Sequence, residues 1–242
     1  MITAVLTRPS ADSQRLAQIL ENQNISQITL PIMAVVPIPE AQRLPVPSLS
    51  DESVCIFVSA NAVRFGLPEL KKEFDSVADT RVIAVGRKTR DTLAMAGIDA
   101  DIPERADSEG LLLMPALAAA EGSHVVIVKG EGGRDLLVKA LTARGADVTE
   151  WSCYRRMWPD ISMSPLDAFE PDALVFQASS GEVLSRLSDL LTGANKADLF
   201  QSTVIVPSER VATLARESGW RRVLLAHDAS DQGFLEALQS LL

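Results

Sequence analysis

Apolar and polar positions along this chain follow two alternating patterns. Short apolar runs, such as Val54-Cys55-Ile56-Phe57-Val58 and Val125-Val126-Ile127-Val128, recur between longer stretches with helical spacing, such as Lys88–Ala96 and Arg134–Ala143. Apolar runs bounded by turn residues mark strands buried on both faces. Their alternation with amphipathic helices predicts parallel sheets covered on both sides. Two sets of five strands are expected. One comprises 54–58, 82–85, 100–102, 125–128 and 148–151; the other comprises 4–6, 27–30, 173–176, 204–206 and 223–225. Right-handed crossovers then favour a doubly wound, flavodoxin-like α/β sheet, with helices on both faces, for each set.

The chain also matches itself, out of order. VCIFVSANAV, GRKTRDTLAMAG and ADSEGLL, in 54–112, answer to LVFQASSGEV, PSERVATLARESG and ASDQGFL near the C-terminus. HVVIVKGEGGRDLLVKAL and the residues after it, up to Pro159, answer to the N-terminal stretch 2–37. One copy runs in order and the other is divided between the two ends. This predicts a split domain, 1–36 plus 172–242, and an inserted domain of similar size, 48–156. The proline-bearing stretches 37–47 and 157–171 read as extended linkers, because proline fixes φ and lacks a donor. Two lobes joined by two crossings make a cleft, a place where small molecules bind.

Composition narrows the partners. The 242 residues are 47% hydrophobic and 23% charged, with a net charge of −9. An acidic chain argues against nucleic acid or an anionic membrane as the general partner, while leaving room for an anionic small ligand held by local cations. Cys55 and Cys153 fall in expected strands without metal-ligand spacing, as buried reduced thiols of a cytoplasmic protein do. The N-terminus has no basic region followed by an apolar stretch, and no apolar run approaches the about 18 residues of a membrane span. A cytoplasmic monomer is the expectation.

Chemistry is expected at the carboxyl ends of the strands. Three pairs of matched loops lie there: Ser59-Ala60-Asn61 with Gln177-Ala178-Ser179-Ser180, the turn from Lys129 through Gly130 to Arg134 with Thr7-Arg8, and Gly86-Arg87-Lys88-Thr89 with Pro207-Ser208-Glu209-Arg210. Each taken singly also reads as a helix cap or a solvated turn. Hydroxyl residues at strand-to-helix turns cap the helix and leave first-turn N–H groups to face an anion. Tyr154, the only tyrosine, ends the last strand of the inserted domain and can donate a proton or stack on a ring. There is no Ser/His/Asp triad, metal-ligand cluster or carboxylate pair in the pattern. The inventory is backbone amides, hydroxyls, cations and one phenol.

In their order, these residues resemble the uroporphyrinogen-III synthases over essentially the whole chain. The likeness rests on Phe57-Val58-Ser59-Ala60-Asn61-Ala62-Val63, Ala84-Val85-Gly86 with Thr89, the glycine turn 129–134, Tyr154-Arg155, Ser179-Ser180, Val206-Pro207-Ser208-Glu209-Arg210 and Thr7-Arg8-Pro9. The resemblance implies two flavodoxin-like domains and a reaction without cofactor or metal. Hydroxymethylbilane, a linear tetrapyrrole with eight carboxylates, would be cyclised to uroporphyrinogen III with ring D inverted and water lost, through azafulvene and spiro intermediates. It further implies that Tyr154 is the acid for hydroxyl departure. Arg8, Ser59, Ala60, Asn61, Lys129, Gly130, Arg134, Ser179, Ser180 and Ser208 would bind substrate, with Thr89 at the edge. The chain departs from the family at Pro207, where many relatives carry glycine, and at Gln177-Ala178, where a hydroxyl residue followed by serine or proline is common. The alternative is a cytosolic two-lobe protein that binds or senses a small molecule without turnover.

Overall fold

The computed structural model describes residues 2–77, 80–133 and 135–242. The chain begins with β1 (Thr3–Leu6), α1 (Ser10–Asn22), β2 (Ser26–Thr29) and β3 (Ala34–Pro37). It continues through β4 (Val54–Phe57), α2 (Ala60–Ser76), β5 (Arg81–Ala84), α3 (Arg87–Ala94), the short α4 (Ser108–Leu112) and α5 (Pro115–Ala118), β6 (His124–Gly130), α6 (Leu136–Ala143) and β7 (Asp147–Met157). It closes with β8 (Leu174–Gln177), α7 (Gly181–Gly193), β9 (Thr203–Val206), α8 (Glu209–Glu217), β10 (Arg222–Leu225) and α9 (Asp231–Gln239). Two compact units result. One holds the residues up to Ala34 and from Met157 onward; the other holds Val35–Arg156.

The split unit carries a sheet in the order β10-β9-β8-β1-β2, with every pair parallel. In chain order this is the 2-1-3-4-5 arrangement of flavodoxin-like sheets. Successive side chains on a strand serve opposite faces. Accordingly Val5, Phe176, Val204 and Val206 pack with Leu184, Leu187 and Val211 of α7 and α8. Their neighbours Ala4, Leu6, Val175 and Ile205 pack with Leu16 and Leu20 of α1 and Phe234 and Leu238 of α9. The inserted unit repeats the plan. Cys55 and Phe57 join Val63, Leu70 and Leu93 of α2 and α3, while Val54 and Ile56 join Leu111, Leu117, Leu137 and Leu141 of α4, α5 and α6. Its sheet runs β3-β7-β6-β4-β5. The stretch β5-β4-β6-β7 is the counterpart of β9-β8-β1-β2, so the out-of-order self-match is also a match of strand order.

The fifth inserted strand, expected at 100–102, is reduced to a single parallel bridge between Ile83 and Asp101. Pro103 follows at once and has no N–H to extend the ladder. The sheet takes its fifth strand from β3 at the opposite edge instead, although residues up to 36 were expected in the split domain. Neither expected linker is a free connector. Ile38 is buried and donates its N–H to the Cys153 carbonyl at 3.1 Å. The Arg43 guanidinium lies 5.6 Å from the Trp151 ring centroid and pairs with Glu69, and Trp151 Nε1 donates to the Leu44 carbonyl at 3.2 Å. In 157–171, Met163 and Leu166 are buried in the split unit's core, with Ile161 and Phe169 packed beside them. Proline-rich composition marked these stretches as extended; the apolar residues between the prolines decide that they are packed.

One glycine fixes where α2 lies. A Cβ on Gly66 would stand 2.6 Å from Val128 Cγ1 and 3.1 Å from Cys153 Sγ, so the helix backbone rests directly on β6 and β7. That close approach aims the start of α2 at the carboxyl ends of the same strands.

Candidate functional site

A cavity of about 340 Å³ opens at the carboxyl ends of β4, β6 and β7 in the inserted unit. Ser59, Lys129, Gly130, Glu150 and Tyr154 line it, together with Ser108 at the start of α4. Ser59 is the N-cap of α2. Its backbone is extended (φ −166°, ψ 162°), and its Oγ accepts the Ala62 N–H at 3.0 Å. The same Oγ is 2.9 Å from the Tyr154 hydroxyl. The phenol is thereby tied to the N-terminus of a 17-residue helix, where the backbone dipole favours negative charge.

Tyr154 is 8% exposed, and its ring lies 5.9 Å from that of Phe65, centroid to centroid. Its position depends on Gly130. The β6–β7 register shifts between Lys129 and Gly130, which sets Gly130 opposite Tyr154. A Cβ on Gly130 would fall 2.6 Å from both Cε2 and Cζ of the tyrosine ring and 3.0 Å from its oxygen. Glu131 N–H donates to the Tyr154 carbonyl at 2.8 Å, which closes the turn. Gly132 and Gly133 follow with φ of 74° and 101°, the left-handed region that glycine adopts readily.

The charges around the cavity are mixed. Lys129 Nζ pairs with the Glu150 carboxylate, and Glu131 and Arg156 also line the space. The Lys129 cation therefore faces a protein carboxylate. Cys153, one residue before Tyr154, points the other way. Its Sγ packs 3.5 Å from the Lys129 carbonyl, and burial pushes the thiol up to about 12, so it is a neutral side chain of the core.

Of the residues singled out in the sequence, Ser59, Lys129, Gly130 and Tyr154 meet at this cavity. Ala60 and Asn61 form the adjoining first turn of α2, with Asn61 Oδ1 3.5 Å from an Arg64 guanidinium nitrogen. Their N–H groups have no acceptor within the helix. Thr89 is 3% exposed in α3 and does not line the cavity. Arg134 lies outside the described residues. In the split unit, Arg8 and Ser179 border a hollow of about 10 Å³ at the carboxyl ends of β1, β8, β9 and β10. Arg8 is nearly buried there and is engaged by Asp231 and the Ala229 carbonyl. Ser180 caps α7, its Oγ accepting the Val183 N–H at 3.3 Å. Ser208 caps α8 through its carbonyl, which receives the Val211 and Ala212 N–H groups at 3.0 and 2.9 Å, leaving its hydroxyl out of the cap.

Sequence reasoning passed over Ser108 and Glu150. Ser108 was within reach of the self-match, since ADSEGLL and ASDQGFL hold the starts of α4 and α9, capped by Asp107 and Ser230. Glu150 carried no such signal. Among the described residues, no group of three or more His, Cys, Asp or Glu side chains is placed to hold a metal ion, and no helix is long and apolar enough to cross a membrane.

Comparison with known proteins decides the family. The family described as "Uroporphyrinogen-III synthase HemD" matches residues 14–236. The chain belongs to the uroporphyrinogen-III synthase family. It is similar to the uroporphyrinogen-III synthase of Salmonella typhimurium, with 31% identity over a 246-residue alignment covering 98% of this chain and 100% of that protein. It is likewise similar to the Escherichia coli K12 protein of the same name, with 30% identity over 251 residues and the same coverage. A solved structure of uroporphyrinogen-III synthetase from Helicobacter pylori shares the fold, with a TM-score of 0.64 and 19% identity over the full length of both chains. A mutant uroporphyrinogen III synthase from Thermus thermophilus does so with a TM-score of 0.58, also at 19% identity, over 99% of this chain and 100% of that one. The synthase family thus supplies the chemistry to which the cavity geometry must answer.

Proposed function

We propose that this uroporphyrinogen-III synthase family member cyclises hydroxymethylbilane to uroporphyrinogen III, with Tyr154 as the acid that releases the terminal hydroxyl as water. The observation that carries the assignment of Tyr154 is its hydrogen bond to Ser59 at the N-terminus of α2, beside a cavity with no other phenol. The proton passes from the phenol to the departing hydroxyl, and water leaves. The Ser59 Oγ already accepts from Ala62, so its own proton is free to point at the phenolic oxygen and share the negative charge left there. The resulting cationic azafulvene is attacked by the substituted carbon of ring D. The spiro intermediate so formed fragments and recloses with that ring inverted. The proton lost on final closure returns to the phenolate, and the balance is substrate to product plus one water.

Electron-rich pyrroles supply most of the drive for these bond changes. The protein's part is to hold one folded conformer, so that inverted closure outruns simple closure, which is catalysis by position. First-turn N–H groups at Ala60 and Asn61, with Arg156 and Ser108, are donors for the carboxylate arms. Lys129 joins them only by exchanging Glu150 for a substrate carboxylate. In this reading the chain works in the cytoplasm, as a monomer, without cofactor or metal. The test is to supply freshly made hydroxymethylbilane and resolve the products by isomer. Uroporphyrinogen III is expected; formation of the type I isomer alone refutes the proposal.

A further inference from the structure

Glu150 sets a carboxylate on the wall of a cavity read as the site of a polyanion, and stability does not call for it there. It is the register partner of Ile127 on β6, and Lys129 lies two residues further along that strand. Successive side chains alternate between faces, so Glu150 and Lys129 rise from the same face of the sheet. Trp151 and Cys153, on the opposite face of β7, enter the core. The Glu150 side chain stays 36% exposed, against 13% for its partner Lys129. An ion pair this open contributes little to folding.

The surroundings say what the carboxylate does. Among the described residues that line the cavity, Lys129, Arg156, Glu131 and Glu150 carry charge, and the two signs balance. A small anion from solution meets a Lys129 cation that is already occupied. Glu150 belongs to the same fold, so its effective concentration at Lys129 far exceeds that of a free anion at millimolar levels. One arm of a polycarboxylate is different. With its other arms held by Arg156 and the first-turn N–H groups of α2, that arm is also delivered at high local concentration. It then displaces Glu150, whose open side chain turns to water.

Resting on the reading that this chain takes a linear tetrapyrrole with carboxylate arms, we propose that Glu150 is a specificity-determining residue that occupies Lys129 in the free protein and yields it only to an arm of a polycarboxylate. Single carboxylates and phosphate are thereby shut out of the cavity. The exchange breaks one ion pair and makes another, with no covalent bond changed.

The experiment measures KM for hydroxymethylbilane and inhibition by acetate and by inorganic phosphate, in wild type, Glu150→Gln, Lys129→Gln and the double variant, with thermal unfolding of each. Glu150→Gln is expected to lower KM about three- to fivefold, the weight of a partly exposed ion pair that no longer has to be broken. It should also let acetate and phosphate compete at concentrations that leave wild type unaffected. Lys129→Gln should raise KM, and in its background Glu150→Gln should change neither KM nor anion inhibition, because both effects run through the same cation. Wild-type KM and anion inhibition in Glu150→Gln overturn the proposal. So does a raised KM in that variant, which would mean that Glu150 positions Lys129 for substrate rather than withholding it. An effect that persists without Lys129 overturns it as well, leaving plain repulsion between carboxylates. If wild-type protein yields only the type I isomer, the functional reading beneath fails instead, so the two failures are distinguishable.

Discussion

Replacing Gly130 by alanine should disable the site without touching any group that does chemistry. The added Cβ would lie 2.6 Å from two carbons of the Tyr154 ring. Unstrained carbon–carbon contacts sit at about 3.5–4.0 Å, so the ring must retreat by about 1 Å. The neighbours it must push are atoms of a buried ring rather than a flexible chain end, and Phe65 packs on the same ring. A retreat of that size lengthens the 2.9 Å bond to Ser59 beyond hydrogen-bond range. Misplacement by this distance costs about 100-fold in rate when positioning is the mechanism. The loss is bounded by the phenol's whole contribution, which Tyr154→Phe measures directly. Overpacking should lower stability by about 1–3 kcal/mol, short of unfolding the domain. The assay is single-turnover formation of uroporphyrinogen III by wild type, Gly130→Ala, Tyr154→Phe and the double variant, with urea unfolding of each. The two single losses should not multiply, because both remove the same phenol. A Gly130→Ala enzyme with wild-type rate, or a double variant whose loss is the product of the singles, refutes the reasoning.

Three further outcomes follow from the structure. Ser59→Ala should lower stability by about 1 kcal/mol and Ser59→Gly by only a few tenths, as N-caps do, yet both should lose rate equally because both lose the phenol's partner; urea midpoints beside kcat check this. Leu166→Ala, in a stretch expected to be a linker, should cost about 2–5 kcal/mol because the side chain is 1% exposed, and an unchanged melting temperature would restore the linker reading. The buried thiols should resist iodoacetamide at mildly alkaline pH until the chain unfolds. Burial raises Cys55 and Cys153 above their ordinary value of 9.0, the latter to about 12. The stability they hold is therefore complete below pH 9.0 and declines as pH rises toward 12, and Cys153→Ala should flatten that decline.

Much of this protein was legible from local pattern. Nine of the ten expected strands lie where short runs between amphipathic stretches put them, most plainly the central β1, β4 and β8, which are buried along their whole length. The self-match fixed which loops correspond, since like loops follow like strands. Edges were less legible. Residues 100–102 look like a strand, but Pro103 denies them a ladder. Residues 34–36 were expected to close the first segment of the split domain, with a linker from 37, yet 34–37 find a free edge beside β7 of the other unit's sheet (the choice depends on what is left unpaired, and that is a property of the assembled sheet).

The sequence by itself determined the two α/β units, the divided repeat, and the hydroxyl, glycine and phenol residues at the carboxyl ends of the strands, because periodicity and turn chemistry act over a few residues. Only the tertiary structure decided how those residues are used. Lys129 is answered by Glu150, 21 residues on, and Arg8 by Asp231, 223 residues on, so two cations singled out for a ligand are held by the protein's own carboxylates. Gly130 lies against the Tyr154 ring because of a register shift that no spacing encodes. Charge pairing and close approach depend on which strands become neighbours, and that is settled by burial of the whole sheet.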